Sequence, residues 1–146
     1  MTDPLARFVD AQRDSHATAL AELRAGAKRS HWMWFVFPQI AGLGSSAMAR
    51  RYAIAGRAEA QAYLAHPLLA ARLVEAADAL LAHRDRDIDA MLGAVDAMKL
   101  RSSMTLFEAA SDGSQPVFAA ILDTFYSGRR DPATLSRLRD RPPPAG

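Results

Sequence analysis

The run "WMWFVFP", Trp32 to Pro38, constrains this chain more than any other stretch. Six large apolar side chains in succession must be buried, and both tryptophans of the protein are among them. At six residues the run is far too short to span a bilayer, which takes about 20. As a strand it would need a partner, because an isolated strand is unstable in water. No alternating apolar and polar pattern elsewhere supplies one. The run therefore reads as a short buried helix from Ser30 to about Val36. Pro38 disfavours helical backbone at Phe37 and forces the chain out. The following "AGLG" turns it, with Gly42 or Gly44 free to take positive φ.

The remaining apolar periodicity is helical. Asp3 as a cap, Pro4 at the first helical position and Gly26 as a stop predict one helix over that span. Its inner face carries Leu5, Phe8, Val9, Gln12, His16, Leu20 and Leu23. Short helices are expected from Ser45 to about Ala53 and over "RAEAQAYLAHP". Pro67 starts a long helix to about Ala82, with His66 as a possible cap. Asp87 can cap "IDAMLG". Further helices are expected over Val95–Ala110, from Pro116 to about Tyr126, and from Asp131-Pro132 onward. The fold class is all-α, a compact single-domain bundle of about seven helices of unequal length without significant β-sheet. Residues 1–140 form the domain, and "RPPPAG" at 141–146 forms a Pro-rich flexible tail. A chain of 146 residues is long enough to bury a core of its own.

The absence of cysteine excludes disulfides, thiolate metal sites and a cysteine nucleophile, and it fits a cytoplasmic protein. Charges interrupt the first apolar residues, so no signal peptide is expected, and no membrane association either. The formal net charge is only +2, with Lys28 and Lys99 the only lysines, so no nucleic-acid partner is expected. His16, His31, His66 and His83 lack metal-ligand spacing, and neither a metal nor a cofactor is expected. Asp85, Asp87 and Asp89 alternate as in a calcium loop, but Ala90 stands where that loop needs glycine.

Two segments could carry chemistry. In the first, His31, Trp32, Trp34 and Gln39 combine flat apolar faces with hydrogen-bonding groups, a mixture that lines pockets for rings. In the second, "KLRSSMTLF", Lys99 precedes Ser102 and Ser103 by one helical turn. An ammonium and hydroxyls so placed can take a phosphate or carboxylate, or serve nucleophilic catalysis where the lysine is desolvated. Ser102, Ser103 and Thr105 are poor helix formers placed mid-helix, and their hydroxyls can also bond back to the preceding turn. Gln12 joins the candidate ligand-binding residues, although a core hydrogen bond accounts for it as well.

Several segments together resemble one bacterial family of unknown function, whose members are sometimes mislabelled calpastatin. They are Ala11-Gln12, "HWMWFVFPQIAGLGSS" from His31, "EAQAYLAHPLL" from Glu59 and "DAMKLRSSMTLF" from Asp96. The resemblance extends from about Leu5 to Leu138 and implies a mainly α-helical single domain with no established activity. It also leads one to expect an aromatic residue, often tyrosine, where this chain has His16, which speaks against catalysis by His16. The calpastatin label is at odds with the composition, since a wrapping inhibitor would be polar and poor in aromatics. The leading expectation is a small-molecule binding domain for a planar or anionic ligand. The alternatives are an enzyme using His31 or Lys99 with Ser102 or Ser103, and an adaptor that binds protein partners. The oligomeric state is left open.

Overall fold

The computed structural model describes residues 3–140. Among them ten helices form, α1 (Ala6–Arg13), α2 (His16–Ala25), α3 (Met33–Val36), α4 (Ala47–Arg51), α5 (Arg57–Ala65), α6 (Pro67–Leu81), α7 (Ile88–Leu92), α8 (Ala94–Ser111), α9 (Pro116–Phe125) and α10 (Pro132–Asp140). Seven of them have eight residues or more, and α3, α4 and α7 are single turns between these. No strand forms among the described residues. Extended chain pairs at one isolated parallel bridge, Ile40 with Ile54, where Ile54 N–H donates to the Gln39 carbonyl at 2.8 Å. The fold is all-α. The predicted tail at 141–146 lies outside the described residues. No helix among the described residues is long and apolar enough to cross a membrane.

The centre of the bundle is α8. From Leu100 to Phe107 every residue but Arg101 is buried, so this helix is covered on nearly all sides. It packs against α5, α7, α9 and α10. An aromatic chain crosses the core through it. Phe8 of α1 meets Tyr63 of α5 edge-on at 5.2 Å, Tyr63 meets Phe107 at 5.1 Å, and Phe107 meets Phe118 of α9 at 5.9 Å. Such pairs each add about 0.5–1.5 kcal/mol beyond the area they bury.

The prolines at 67 and 116 start α6 and α9 as expected, where the missing N–H costs nothing. His66 caps α6, its Nδ1 accepting from Leu69 N–H at 3.4 Å. Ser46 rather than Ser45 caps α4, with Oγ accepting from Ala49 N–H at 3.1 Å. Asp87 stands at the cap position of α7, but its side chain makes no capping bond. The chain leaves α3 at Phe37, with φ −126° and ψ 75°, immediately before Pro38.

The single helix expected over Asp3–Gly26 is in fact two. Asp14 and Ser15 interrupt it, two residues whose short polar side chains compete with helical backbone bonds. The break lets α1 reach α3 as well as α6, while α2 packs against α6. Of the expected stripe, Gln12 is fully buried at the end of the first half. Its amide nitrogen donates to the Phe35 carbonyl at 2.7 Å and to the Tyr63 hydroxyl at 3.1 Å. Its amide oxygen accepts from Arg72 at 3.4 Å. Burial pushes the Tyr63 phenol above its ordinary range, so it stays neutral in this knot.

Replacing Gln12 with Ala leaves the Phe35 carbonyl without its side-chain donor and opens a small cavity. Gln12→Ala should destabilise the protein by about 1–3 kcal/mol, measured by urea denaturation, while Tyr63→Phe should cost less because the donor to Phe35 remains.

Candidate functional site

The site begins with a carboxylate on α2. Glu22 accepts from the backbone N–H groups of Arg29 and Ser30 at 2.7 and 2.9 Å, from the Ser30 hydroxyl at 2.6 Å and from the Trp32 indole at 3.0 Å. Burial alone would raise its pKa, but these donors more than offset that and hold it at about 2, against an ordinary 4.5. They also keep residues 29–32 out of the helix, which is why α3 starts at Met33 rather than near Ser30.

The loop so fixed places Lys28. Its backbone N–H donates to the Met91 carbonyl at 2.9 Å, joining the loop to α7. Its ammonium donates to the Ser30 carbonyl at 2.6 Å, pairs with Asp96 at 2.8 Å and lies 4.9 Å from the Trp32 ring centroid. Asp96 occupies the first turn of α8, where the helix dipole favours a negative charge. One turn later Lys99 reaches the other oxygen of Asp96 at 3.6 Å, and its ammonium lies 5.3 Å from the Trp34 centroid. The only two lysines of the chain thus share one carboxylate, each over one of its only two tryptophans.

The two halves of this array differ. Trp32 is buried and the Lys28 side chain is only 8% exposed, so that half is closed. Trp34 is half-buried, and the Lys99 side chain is 25% exposed. No protein acceptor among the described residues lies within hydrogen-bond distance of the Lys99 ammonium. Val95, one turn before Lys99, is 67% exposed. Two ammonium groups against one carboxylate leave a net positive charge beside a half-buried tryptophan.

The other candidates are placed as follows. The buried hydroxyl of Ser102 is taken up within the fold, bonded to Asp131 at 2.8 Å and to the Met98 carbonyl at 3.3 Å. Thr105 donates to the Arg101 carbonyl and accepts from Asp131 N–H at 2.9 Å, so both residues fasten α10 to α8. Ser103 shares the face of Lys99 by helical spacing, but it is fully buried and its hydroxyl has no partner among the described residues. His31 stands exposed on the loop before α3. Gln39 lines a small pocket with α4 to which Lys99 does not belong. Gln12 is spent in the core. Trp34 and Lys99 are the two candidates brought together with accessible surface. Glu22, Lys28 and Asp96 were not among the candidates. The i, i+4 spacing of Lys28 to Trp32 and the i, i+3 spacing of Asp96 to Lys99 were the available signals.

A groove of about 600 Å³ also runs between α2 and α6, lined by Arg24, Val74, Glu75 and Asp78. His16 borders it and bonds Glu75 at 3.0 Å.

A family model described as protein of unknown function, DUF1810, matches residues 2–138. The crystal structure of the conserved hypothetical protein Rv1873 from Mycobacterium tuberculosis is similar, with 48% sequence identity and a TM-score of 0.91, over 94% of this chain and 99% of that one. No curated protein matches the chain.

The carboxylate of Glu22 carries a pH signature. A group held below its unfolded pKa adds stability that is fully present above about 4.5 and is lost as pH falls towards about 2. Glu22→Gln should therefore lower the urea midpoint most at neutral pH, and the gap from wild type should narrow through that window. A gap that stays constant from pH 6 to pH 2.5 would contradict the assignment.

Proposed function

We propose, for a chain that belongs to the DUF1810 family of proteins of unknown function, that it is a small-molecule binding domain for a planar organic anion. One observation carries this reading: the Lys99 ammonium is held over the accessible face of Trp34 with its hydrogen-bond donors unspent. Asp96 fixes the position of that ammonium without neutralising it, because Lys28 already occupies the same carboxylate at the shorter distance. An arriving carboxylate or phosphate can then pair with Lys99 without first breaking a short ion pair. The planar body of the ligand would cover the exposed part of Trp34 and the side chain of Val95. Aromatic and aliphatic walls with one placed charge are the usual make-up of such sites.

The enzymatic alternative finds less support. The hydroxyl of Ser102 is bonded to Asp131, and Ser103 has no exposed surface from which to attack a substrate.

Binding of a ligand to the native state raises its stability, by about 2.7 kcal/mol at a hundredfold excess over Kd. Thermal melts should therefore rise with planar anions such as benzoate, aromatic amino-acid derivatives or nucleoside monophosphates, and stay unchanged with the matching neutral amides and nucleosides. Lys99→Met should abolish the rise while melting near the wild-type temperature, and Trp34→Leu should weaken it. No response to any planar anion, or an unchanged response in Lys99→Met, would remove this reading.

A further inference from the structure

Beyond the Trp34 face lies a pocket of about 100 Å³ whose walls include Gln39, Gly42, Gly44, Ala49 and Arg50. Its floor is the turn that follows Pro38, tied down where Ala41 N–H donates to the Ile54 carbonyl at 2.8 Å. The backbone is bare there for steric reasons. Gly42 has φ +98°, and a Cβ on it would lie 2.5 Å from the guanidinium carbon of Arg137. A Cβ on Gly44 would lie 2.6 Å from that of Ala49. Arg137 donates to the Gly42 carbonyl at 3.3 Å, which directs a second guanidinium to the same turn.

The polar groups around this pocket are donors in excess. The backbone N–H groups of Gly42 and Gly44, both exposed, have no acceptor among the described residues. The guanidinium of Arg50 and the carboxamide of Gln39 have no hydrogen-bond partner among them either. No carboxylate belongs to the lining. Unpaired amide donors in a glycine turn with a guanidinium beside them suit an oxyanion, and arginine can bind one through two parallel N–H groups.

Size decides between ligand classes. A cavity of about 150 Å³ is what accommodates a benzene ring, while one water accounts for about 30 Å³. The pocket, at about 100 Å³, is smaller than a cavity that encloses a ring and large enough for a phosphate group. Its walls share no residue with the Lys99–Trp34 pair, so its occupant is independent of that reading.

We propose that this pocket is a phosphate site. Arg50 and the Gly42 and Gly44 amides would hold the oxyanion, Gln39 would donate its amide from the side, and Arg137 would add charge. The same chemistry could arrive as free inorganic phosphate or as the phosphate of a phosphomonoester.

The test is a titration of the full chain followed by amide resonances, first with inorganic phosphate and then with glycerol phosphate, at constant ionic strength in chloride. The Gly42 and Gly44 amides should shift saturably, and Arg50→Gln should weaken the apparent affinity at least tenfold while leaving the other amide resonances in place. A response to inorganic phosphate alone identifies the free ion as occupant, and a tighter response to glycerol phosphate identifies the ester. Immobile amides at Gly42 and Gly44, or equal titration of wild type and Arg50→Gln, would overturn the proposal. The Lys99→Met variant should titrate as wild type does, which separates this site from the Trp34 face.

Discussion

A helix of one turn, buried in a core, cannot satisfy its own ends, and the rest of this structure is arranged around that constraint. The segment from Ser30 to Phe37 is too apolar to expose and too short to bond all its backbone groups internally. Two side chains from the preceding helices supply the missing partners. Glu22 takes the N–H groups before α3 together with the Trp32 indole, and Gln12 donates to the Phe35 carbonyl near its other end. An unpaired buried polar group costs about 1–3 kcal/mol, so these bonds decide whether the aromatic run can be buried at all. They also set where Trp34 stands, and through it the partner of Lys99.

The same reasoning separates polar residues that hold the fold from those that remain free to act. In α8 the hydroxyls of Ser102 and Thr105 look chemical in the sequence, but both serve the junction with α10 through Asp131. Arg130 reinforces that junction by pairing with Glu108 and Asp123, which drives its pKa upward. Tyr126 adds a bond from its hydroxyl to the Ala97 carbonyl at 2.5 Å. Much of the helix is thus fastened to α9 and α10, while its first two turns carry Asp96 and Lys99 to the tryptophans.

The all-α class, the proline-started helices and the buried aromatic turn were legible in the sequence because each rests on local rules of periodicity and backbone sterics. The break at Asp14-Ser15 was not, since a continuous apolar stripe on either side outweighed two polar residues, and only the turn that brings α1 onto α3 reveals it. Glu22 was invisible for a related reason. It lies on a polar helix face, and its partners are backbone amides seven and eight residues away, which no side-chain pattern marks. The meeting of Trp34 and Lys99, 65 positions apart in the numbering, could be raised from residue chemistry but placed only by the fold.

Several of the chain's 16 arginines serve the fold itself. Arg7 donates to the Arg51 and Ala53 carbonyls, Arg57 to Ala109, Arg86 to Gly26, and Arg101 to Arg129 and Arg130. In each case a forked guanidinium closes off carbonyls at a helix end or in a loop, work for which its several planar donors suit it better than an ammonium. These cations are spent as fasteners between elements. Lys99 and Arg50, like the exposed Arg29, Arg84 and Arg129, bond no carbonyl among the described residues, but Lys99 lies over Trp34 and Arg50 lines the pocket at the glycine turn. A lysine over an aromatic face provides a compact charge that a ligand can reach, and an arginine beside bare glycine amides provides a fork. The two positions thus differ in the anion geometry they can recognise, a planar acid at one and a tetrahedral oxyanion at the other.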